Sequence, residues 1–244
     1  DLLDEAEKLN EFNLVKEISQ QLPIYTLSQI LGIPESDRQK LTEWMEFLEL
    51  AQYFTLEQIK QNEEGITDTT PDPALVEMFN NMIDEMFDYG RFILNKKKDK
   101  PENDLLSAIA NAKIEGEDLS QEFLDGSWLL IVFAGNDTTR NTMSGGIKLL
   151  NENPQQKQLF LDNFERVTGL INETVRCVSP VIHMRRTTLE ETIIGDQKIG
   201  PFEKIALWYG AANRDPEIFD DPDKFNIMRT NADQHLAFGI GRHT

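Results

Sequence analysis

The stretch WLLIVFAGNDTT (residues 128–139) decides the fold class of this chain, because an apolar run is followed at once by polar residues. The apolar part has no polar face, which is typical of a helix buried on every side. We predict one continuous helix around it, from Leu119 to Leu150. Polar groups in such a helix are costly unless they are hydrogen-bonded, so the polar part needs an explanation.

Two interpretations of the polar part remain open. Gly135 lets another group approach closely, and the hydroxyl of Thr138 can bond back to the carbonyl of Ala134, which bends a helix and opens a gap. Asp137 beside Thr138 would then form an acid–hydroxyl pair that relays protons. The alternative is a kinked helix whose polar groups are simply satisfied.

Helical periodicity continues on both sides of this stretch. We predict further helices over residues 15–31 with an interruption at Pro23, 36–50 with a capping box at Ser36 and Gln39, 75–98, 105–112, 154–162 and 163–178. Residues 62–73 read as an exposed loop, and a second loop is predicted at Gly116. β-prone runs occur only after Pro180, at Val181–Thr187, Thr192–Ile194 and Ile205–Tyr209, and a turn is predicted at Gly195 and Asp196 after the second run. The predicted fold class is therefore mostly α with a small β portion.

Composition excludes several classes of partner. The 244 residues carry 24 Lys and Arg against 43 Asp and Glu, a net charge of −19, which disfavours binding to nucleic acid or an anionic membrane. The longest apolar run is far shorter than the roughly 20 residues of a spanning helix. With one cysteine and an acidic start, the chain is expected to be cytoplasmic, and its ends resemble those of a fragment.

Two further motifs contain arginine. Glu173 and Arg176 lie three residues apart, so they share a helix face and can pair, although such pairs are common on surfaces. Arg185 and Arg186 follow an apolar run on a predicted strand, and one of them could bind a buried carboxylate. Alternatively, Arg185 and Arg186 lie on a solvated strand edge and bind nothing.

The C-terminal stretch FGIGRHT (residues 238–244) lacks the third glycine, preceding strand and following helix of a dinucleotide site. The three histidines show no spacing typical of a metal site. Cys177 has no partner motif and is interpreted as a small packing residue.

Taken together, the order and spacing of these motifs resemble the cytochrome P450 family, the haem-thiolate monooxygenases, over nearly the whole chain. AGNDTT (134–139) matches the oxygen-binding groove of the family's central helix, and Glu173-x-x-Arg176 matches its E-x-x-R helix. Arg229 matches the arginine that completes a structural triad with them. Residues 238–243 match the loop leading to the haem-ligating cysteine.

The resemblance implies a partial P450 fold, a single domain over residues 1–244 without the family's N-terminal region, cysteine loop and C-terminus. The implied cofactor is haem b, and the positions that match its binding residues are Ala134, Arg186, Phe238, Gly239 and His243. The family's cysteine ligand comes just after Thr244, so this chain is expected to contain no iron ligand. The chain alone is therefore expected to bind haem poorly and to be inactive.

The resemblance also implies roles at the reaction centre. Asp137 and Thr138 would deliver protons during oxygen activation, while Phe133, Ile182 and Met184 would line an apolar pocket. The implied reaction inserts one oxygen atom of O2 into a C–H bond of an alkane, fatty acid, steroid side chain or terpene. Electrons would come from a ferredoxin and its NAD(P)H ferredoxin reductase, with Arg242 a candidate docking residue.

Two alternatives stay open on the sequence. One is a non-catalytic, acidic helical interaction module in which the motifs coincide by chance. The other keeps the haem but uses peroxide or isomerises its substrate, although the Asp137–Thr138 pair favours oxygen activation.

Overall fold

Helices make up most of the structure, as predicted. The structure is a computed structural model that describes residues 2–48 and 73–241. Most of the predicted loop at 62–73, the last two residues of the predicted helix 36–50, and Arg242 and His243 lie outside the described residues. The chain divides into two compact units, Asp1–Asp137 and Thr138–Thr244.

The regular elements of the first unit, over its described residues 2–48 and 73–137, are helices and one short hairpin. Its elements are α1 (Leu2–Glu7), α2 (Gln21–Leu31), α3 (residues 38–48), α4 (Pro73–Asp99), α5 (Leu105–Ala110), β1 (Lys113–Ile114), β2 (Glu117–Asp118) and α6 (Gln121–Ala134). A π-helical turn, Val15–Ser19, precedes α2, and Pro23 lies in the first turn of α2, where its missing N–H costs little. The predicted interruption near Pro23 is thus confirmed. The β1–β2 hairpin around Gly116 was predicted only as a loop.

One cluster of aromatic side chains forms the centre of this unit's core. Trp128 on α6 is 1% exposed, and its indole N–H donates to the carbonyl of Met86, 2.9 Å away. Its ring lies edge-on to Trp44 and tilted against Tyr89. A Cβ on Gly90 would lie 2.4 Å from the indole, so only glycine leaves room for it. This packing fixes α6 against α4.

A buried ion pair ties α4 to the start of α5. The ammonium of Lys97 contacts the carboxylates of Asp104 and Glu102, both at 2.5 Å, and the side chains of Lys97 and Asp104 are 4% and 6% exposed. Asp104 also caps α5 by accepting the N–H of Ser107. Burial by itself would raise the pKa of Asp104, but hydrogen bonds from Lys97 and Ser107 more than offset this and lower it.

We expect Asp104→Asn to lower the free energy of unfolding by about 3 kcal/mol at pH 7, because among the described residues the ammonium of Lys97 then keeps only the exposed Glu102 as counter-ion. The depressed pKa of Asp104 means that its contribution is present above the ordinary carboxyl pKa and is lost as pH falls through the folded-state value. Urea titrations at pH 7 and pH 3, with the exposed Asp99→Asn as control, measure this. An equal difference at both pH values contradicts the account.

The predicted continuous helix from Leu119 to Leu150 is wrong. Two helices occupy this region, α6 and α7 (Asp137–Glu152), with a break at Gly135 and Asn136. A Cβ on Gly135 would lie 2.9 Å from a methyl carbon of Leu27, so the chain is tightly packed there. Asparagine and aspartate also favour helix ends over helix interiors, because their side chains compete for backbone hydrogen bonds.

The second unit contains the remaining helices and two small sheets. After α7 come α8 (Pro154–Asp162), α9 (Val167–Val178), β3 (His183–Thr187), β4 (Thr192–Ile194), β5 (Gln197–Ile199), β6 (Lys204–Trp208) and α10 (Tyr209–Ala212). β3 pairs antiparallel with β6, and β4 with β5 across the predicted turn at Gly195. The strand predictions are confirmed to within two residues. β5 was not predicted.

The capping box predicted at Ser36 and Gln39 is wrong. A 3-10 turn, Glu35–Asp37, precedes α3, and the hydroxyl of Ser36 donates to the carboxylate of Asp37 instead. Pro34 explains this, because the chain leaves it extended and needs the tighter turn before the α-helix can begin.

Within the described residues, no helix combines the length and the apolar character that crossing a membrane requires.

Candidate functional site

The pairing predicted for Glu173 and Arg176 is confirmed, and it is buried. Both residues lie on α9 and are 0% exposed. The Nε and Nη2 atoms of Arg176 donate to the two carboxylate oxygens at 2.8 and 2.9 Å, which is bidentate geometry. A fully buried pair of this kind is unlike the solvated surface pair that the spacing alone also allowed.

Arg229 joins this pair from a loop far along the chain. Its Nε atom lies 3.1 Å and 3.2 Å from the two oxygens of the Glu173 carboxylate. The backbone N–H of Asn226 donates to the same carboxylate at 2.9 Å. The structure therefore brings together the three residues predicted as a triad, Glu173, Arg176 and Arg229.

Two guanidinium groups on one carboxylate leave an excess positive charge in a buried place, and backbone carbonyls compensate for it. Arg176 donates to the carbonyls of Asn213, Pro222 and Lys224, and Arg229 donates to those of Asp220, Asp221 and Lys224. The ring of Phe219 lies 5.1 Å and 5.9 Å from the two guanidinium carbons. The triad thus organises residues 219–229, which have little regular structure of their own.

Asn213 connects the triad to the C-terminal loop, a role that no motif in the sequence indicates. It is 0% exposed, and its carbonyl accepts from Arg176. Its side-chain amide donates to the hydroxyl of Ser179, and its side-chain oxygen accepts the N–H of Leu236 at 2.6 Å. Leu236 leads directly into the predicted cofactor residues Phe238 and Gly239. No periodic pattern marks Asn213, because its partners lie on two other segments, the end of α9 and the loop at Leu236.

Cys177 is confirmed as a packing residue within this cluster. The Nη2 atom of Arg176 lies 3.2 Å from its sulfur, and the thiol faces the carboxylate of Glu173 at 3.9 Å. Burial, together with the negative charge of Glu173, raises the pKa of the Cys177 thiol to about 11. The thiolate form that binds iron is therefore disfavoured here.

The predicted proton-relay residues lie at the break between α6 and α7. Asp137 is the first residue of α7 and is exposed, and Thr138 follows it half-buried. Ala134 ends α6 and is exposed, whereas Phe133 packs against the core of the first unit. Asn136, between the two helices, is 2% exposed.

Three predicted residues share one face of β3, because they alternate along the strand and its entry. Ile182 and Met184, predicted to line the pocket, are exposed, as is Arg186. Within the described residues, the only hydrogen bond of the Arg186 side chain goes to the carbonyl of Arg185, at 2.9 Å. Its guanidinium is thus available to an anionic group.

The loop that holds Phe238 and Gly239 is partly ordered by aromatic contact. The ring of Phe238 lies edge-on to His235, 5.1 Å between centroids. Gly239 has φ +82°, which favours glycine, and a Cβ there would lie 3.4 Å from the hydroxyl of Tyr209. His243 lies outside the described residues. Over residues 2–48 and 73–241, no cluster of metal-binding side chains is present.

A profile of one protein family, Cytochrome P450, matches residues 72–244. The chain belongs to the cytochrome P450 family. The match includes the helix break, the triad and the C-terminal loop described above. This confirms the resemblance that the motifs indicated.

Individual P450 proteins show the same similarity. A linalool 8-monooxygenase of Pseudomonas putida is 32% identical over 233 residues, which cover 96% of this chain and 53% of the relative. A methyl-branched lipid omega-hydroxylase of Mycobacterium bovis is 30% identical, over 94% of this chain and 50% of the relative. The chain thus spans about half the length of these P450 relatives.

The fold agrees with solved P450 structures as well. A Mycobacterium marinum cytochrome P450, CYP268A2, solved in complex with pseudoionone, superposes with a TM-score of 0.82 at 30% identity. The superposition covers 98% of this chain and 55% of that one. The mostly helical fold predicted from the sequence therefore corresponds to part of the P450 fold.

Proposed function

We propose that this chain is part of a haem-dependent monooxygenase that inserts one oxygen atom of O2 into a C–H bond of an apolar substrate. The observation that carries the proposal is the buried Glu173–Arg176–Arg229 cluster in a chain of this family. The acid–hydroxyl pair at the helix break accompanies it. These features favour the monooxygenase over a non-catalytic interaction module.

The donor groups of the described residues fit haem b in part. The exposed guanidinium of Arg186 suits a propionate carboxylate, to which arginine binds in bidentate geometry. Gly239 and Ala134 are small enough to allow a flat ring to approach, and Phe238 and His243 complete the proposed set. When bound, the haem supplies the one-electron and oxygen chemistry of the reaction.

The iron ligand is proposed to lie outside this sequence, just after Thr244. The only cysteine in the chain, Cys177, has a raised pKa and contacts two members of the triad. A ligand cysteine must be deprotonated, and the family supplies it from the loop after residues 238–243. We therefore assign Cys177 a structural role.

Asp137 and Thr138 are proposed to be the catalytic residues. A carboxyl group and a hydroxyl group on successive residues at the start of α7 can hold and pass protons, and the preceding break separates them from the apolar part of α6. The triad and Asn213 are proposed to act on structure alone, by holding the loop that leads to Phe238.

The substrate is proposed to be an apolar chain or ring system, with Phe133, Ile182 and Met184 as its contacts. Hydroxylases of terpenes, branched lipids and steroids occur among the relatives, which favours an alkane, fatty acid, steroid side chain or terpene. We propose a ferredoxin with its NAD(P)H ferredoxin reductase as electron donor, and a cytoplasmic location. A docking face for an acidic ferredoxin must be locally basic on a chain of net charge −19.

The proposed function is tested first on the protein expressed from its complete coding sequence. We expect one haem per chain and a haem absorption change on titration with alkanes, fatty acids, steroids or terpenes. A purified, folded protein that takes up no haem would overturn the proposal.

In that protein, Thr138→Ala is expected to uncouple oxygen consumption from product formation. Without the hydroxyl, proton delivery fails, and hydroxylated product per NAD(P)H should fall at least about tenfold while NAD(P)H oxidation continues. Thr139→Ala, one residue further along the same helix, is the control and should stay within about twofold of wild type. Unchanged product per NAD(P)H in Thr138→Ala would show that Thr138 is not part of a relay.

A further inference from the structure

The segment of residues 225–229 delivers Arg229 to the triad, and each of its backbone N–H groups from Asn226 onward is bound. The N–H of Asn226 donates to Glu173, and those of Met228 and Arg229 donate to the side chain and carbonyl of Asn226. The N–H of Ile227 instead donates to Oε1 of Gln156, 3.0 Å away. Of these four bonds, one reaches the triad, two stay within the segment, and one reaches a different helix, α8.

Gln156 lies in the first turn of α8 and is half-buried, and Ile227 is 2% exposed. On the other side of Ile227, its carbonyl oxygen would lie 2.5 Å from a Cβ placed on Gly169 of α9. The peptide groups around Ile227 are therefore held between two helices, by a hydrogen bond from one side and by close packing from the other. Only glycine at position 169 allows this approach.

We infer that Gln156 is a positioning residue for Arg229. Ile227 lies two residues before Arg229, and the bond to Gln156 fixes the backbone from which the guanidinium reaches Glu173. Gln156 is not part of the triad motif, and as a polar residue it is not among the apolar residues whose spacing predicts the helices. The inference rests on contacts inside the second unit and does not depend on the proposed function.

Gln156→Met tests the inference, because methionine is similar in size but accepts hydrogen bonds only weakly. Hydrogen exchange is followed by nuclear magnetic resonance at two groups in the purified full protein, the backbone N–H of Ile227 and the Nε–H of Arg229. Loss of a buried acceptor should raise exchange about tenfold at both groups. Gln155→Met, on the exposed neighbour, should change neither.

Gln156→Glu supplies the rescue, since its carboxylate keeps an acceptor at the same reach. Exchange at both groups should remain within about twofold of wild type. If Gln156 only fills space, methionine also leaves both groups unchanged, and the inference is wrong. Faster exchange at Ile227 with unchanged exchange at Arg229 would overturn it equally, because the bond would then not act on the triad.

If Gln156→Met does not fold, Gln156→Asn replaces it, since the shorter amide stays polar but cannot reach Ile227. The same exchange increase at both groups is expected. Wild-type exchange in that variant would overturn the inference.

Discussion

Glu173→Gln is expected to cause the largest loss of stability of any single substitution considered. Removal of the negative charge takes away the carboxylate that pairs with the buried guanidinium groups of both Arg176 and Arg229. In glutamine an NH2 group replaces one carboxylate oxygen. This NH2 group is a hydrogen-bond donor, and it would face the N–H donors of the two guanidinium groups. Breaking a buried ion pair costs 3–5 kcal/mol, so we expect the free energy of unfolding to fall by about 4 kcal/mol or more.

Urea unfolding measures this loss, with Glu165→Gln as the matched control. Glu165 is exposed, so the same chemical change there should cost less than about 0.5 kcal/mol. We further expect Glu173→Gln to loosen residues 219–229, whose carbonyls the two arginines bind, and to make them the first site of proteolysis. A loss of stability no larger than that of the control would contradict the role assigned to the triad.

The second large effect is expected for Trp128→Ala in the core of the first unit. The substitution removes a buried indole that packs against Trp44 and Tyr89 and leaves the carbonyl of Met86 without its donor. Gly90 contributes no side chain to fill the space. Such substitutions cost 3–5 kcal/mol, and we expect about 4 kcal/mol.

Phe123→Ala is the control for this variant, because Phe123 lies on the same helix and is 51% exposed. Its substitution should cost less than about 1 kcal/mol. Thermal unfolding followed by circular dichroism compares the two. Equal losses would show that the indole is not a centre of the core.

The sequence predicted the elements whose signals are local. Apolar periodicity located most helices, and the spacing of Glu173 and Arg176 placed both on one face of α9, where they pair. The turn at Gly195 followed from turn chemistry. In each case the residues that decide the structure are close together in the chain, so a single sequence displays them.

The features that were missed depend on residues far apart in sequence. The sequence indicated a bend near Gly135 but not a full break between α6 and α7, because Leu27, which packs on Gly135, lies outside residues 119–150. The carbonyls that surround Arg176 and Arg229 come from an irregular segment without periodicity. Asn213 and Gln156 belong to the same class, since each binds backbone groups of another segment.

Family resemblance supplied the roles that geometry alone does not assign. Arg229, on a loop, carries no local signal of pairing with Glu173, yet the structure confirms that pairing. The roles proposed for Asp137, Thr138 and Arg186 rest on the same resemblance and remain predictions.

The fate of labelled oxygen tests the proposal that this chain works in a monooxygenase. The protein from the complete coding sequence, with haem, a ferredoxin and its reductase, is supplied with ¹⁸O₂ and the apolar substrate that changes its haem absorption most. If the proposal is right, a hydroxylated product forms in which the new hydroxyl carries one ¹⁸O atom from O₂. A product whose oxygen comes from water, or a folded haem protein that forms no oxygenated product, would contradict it.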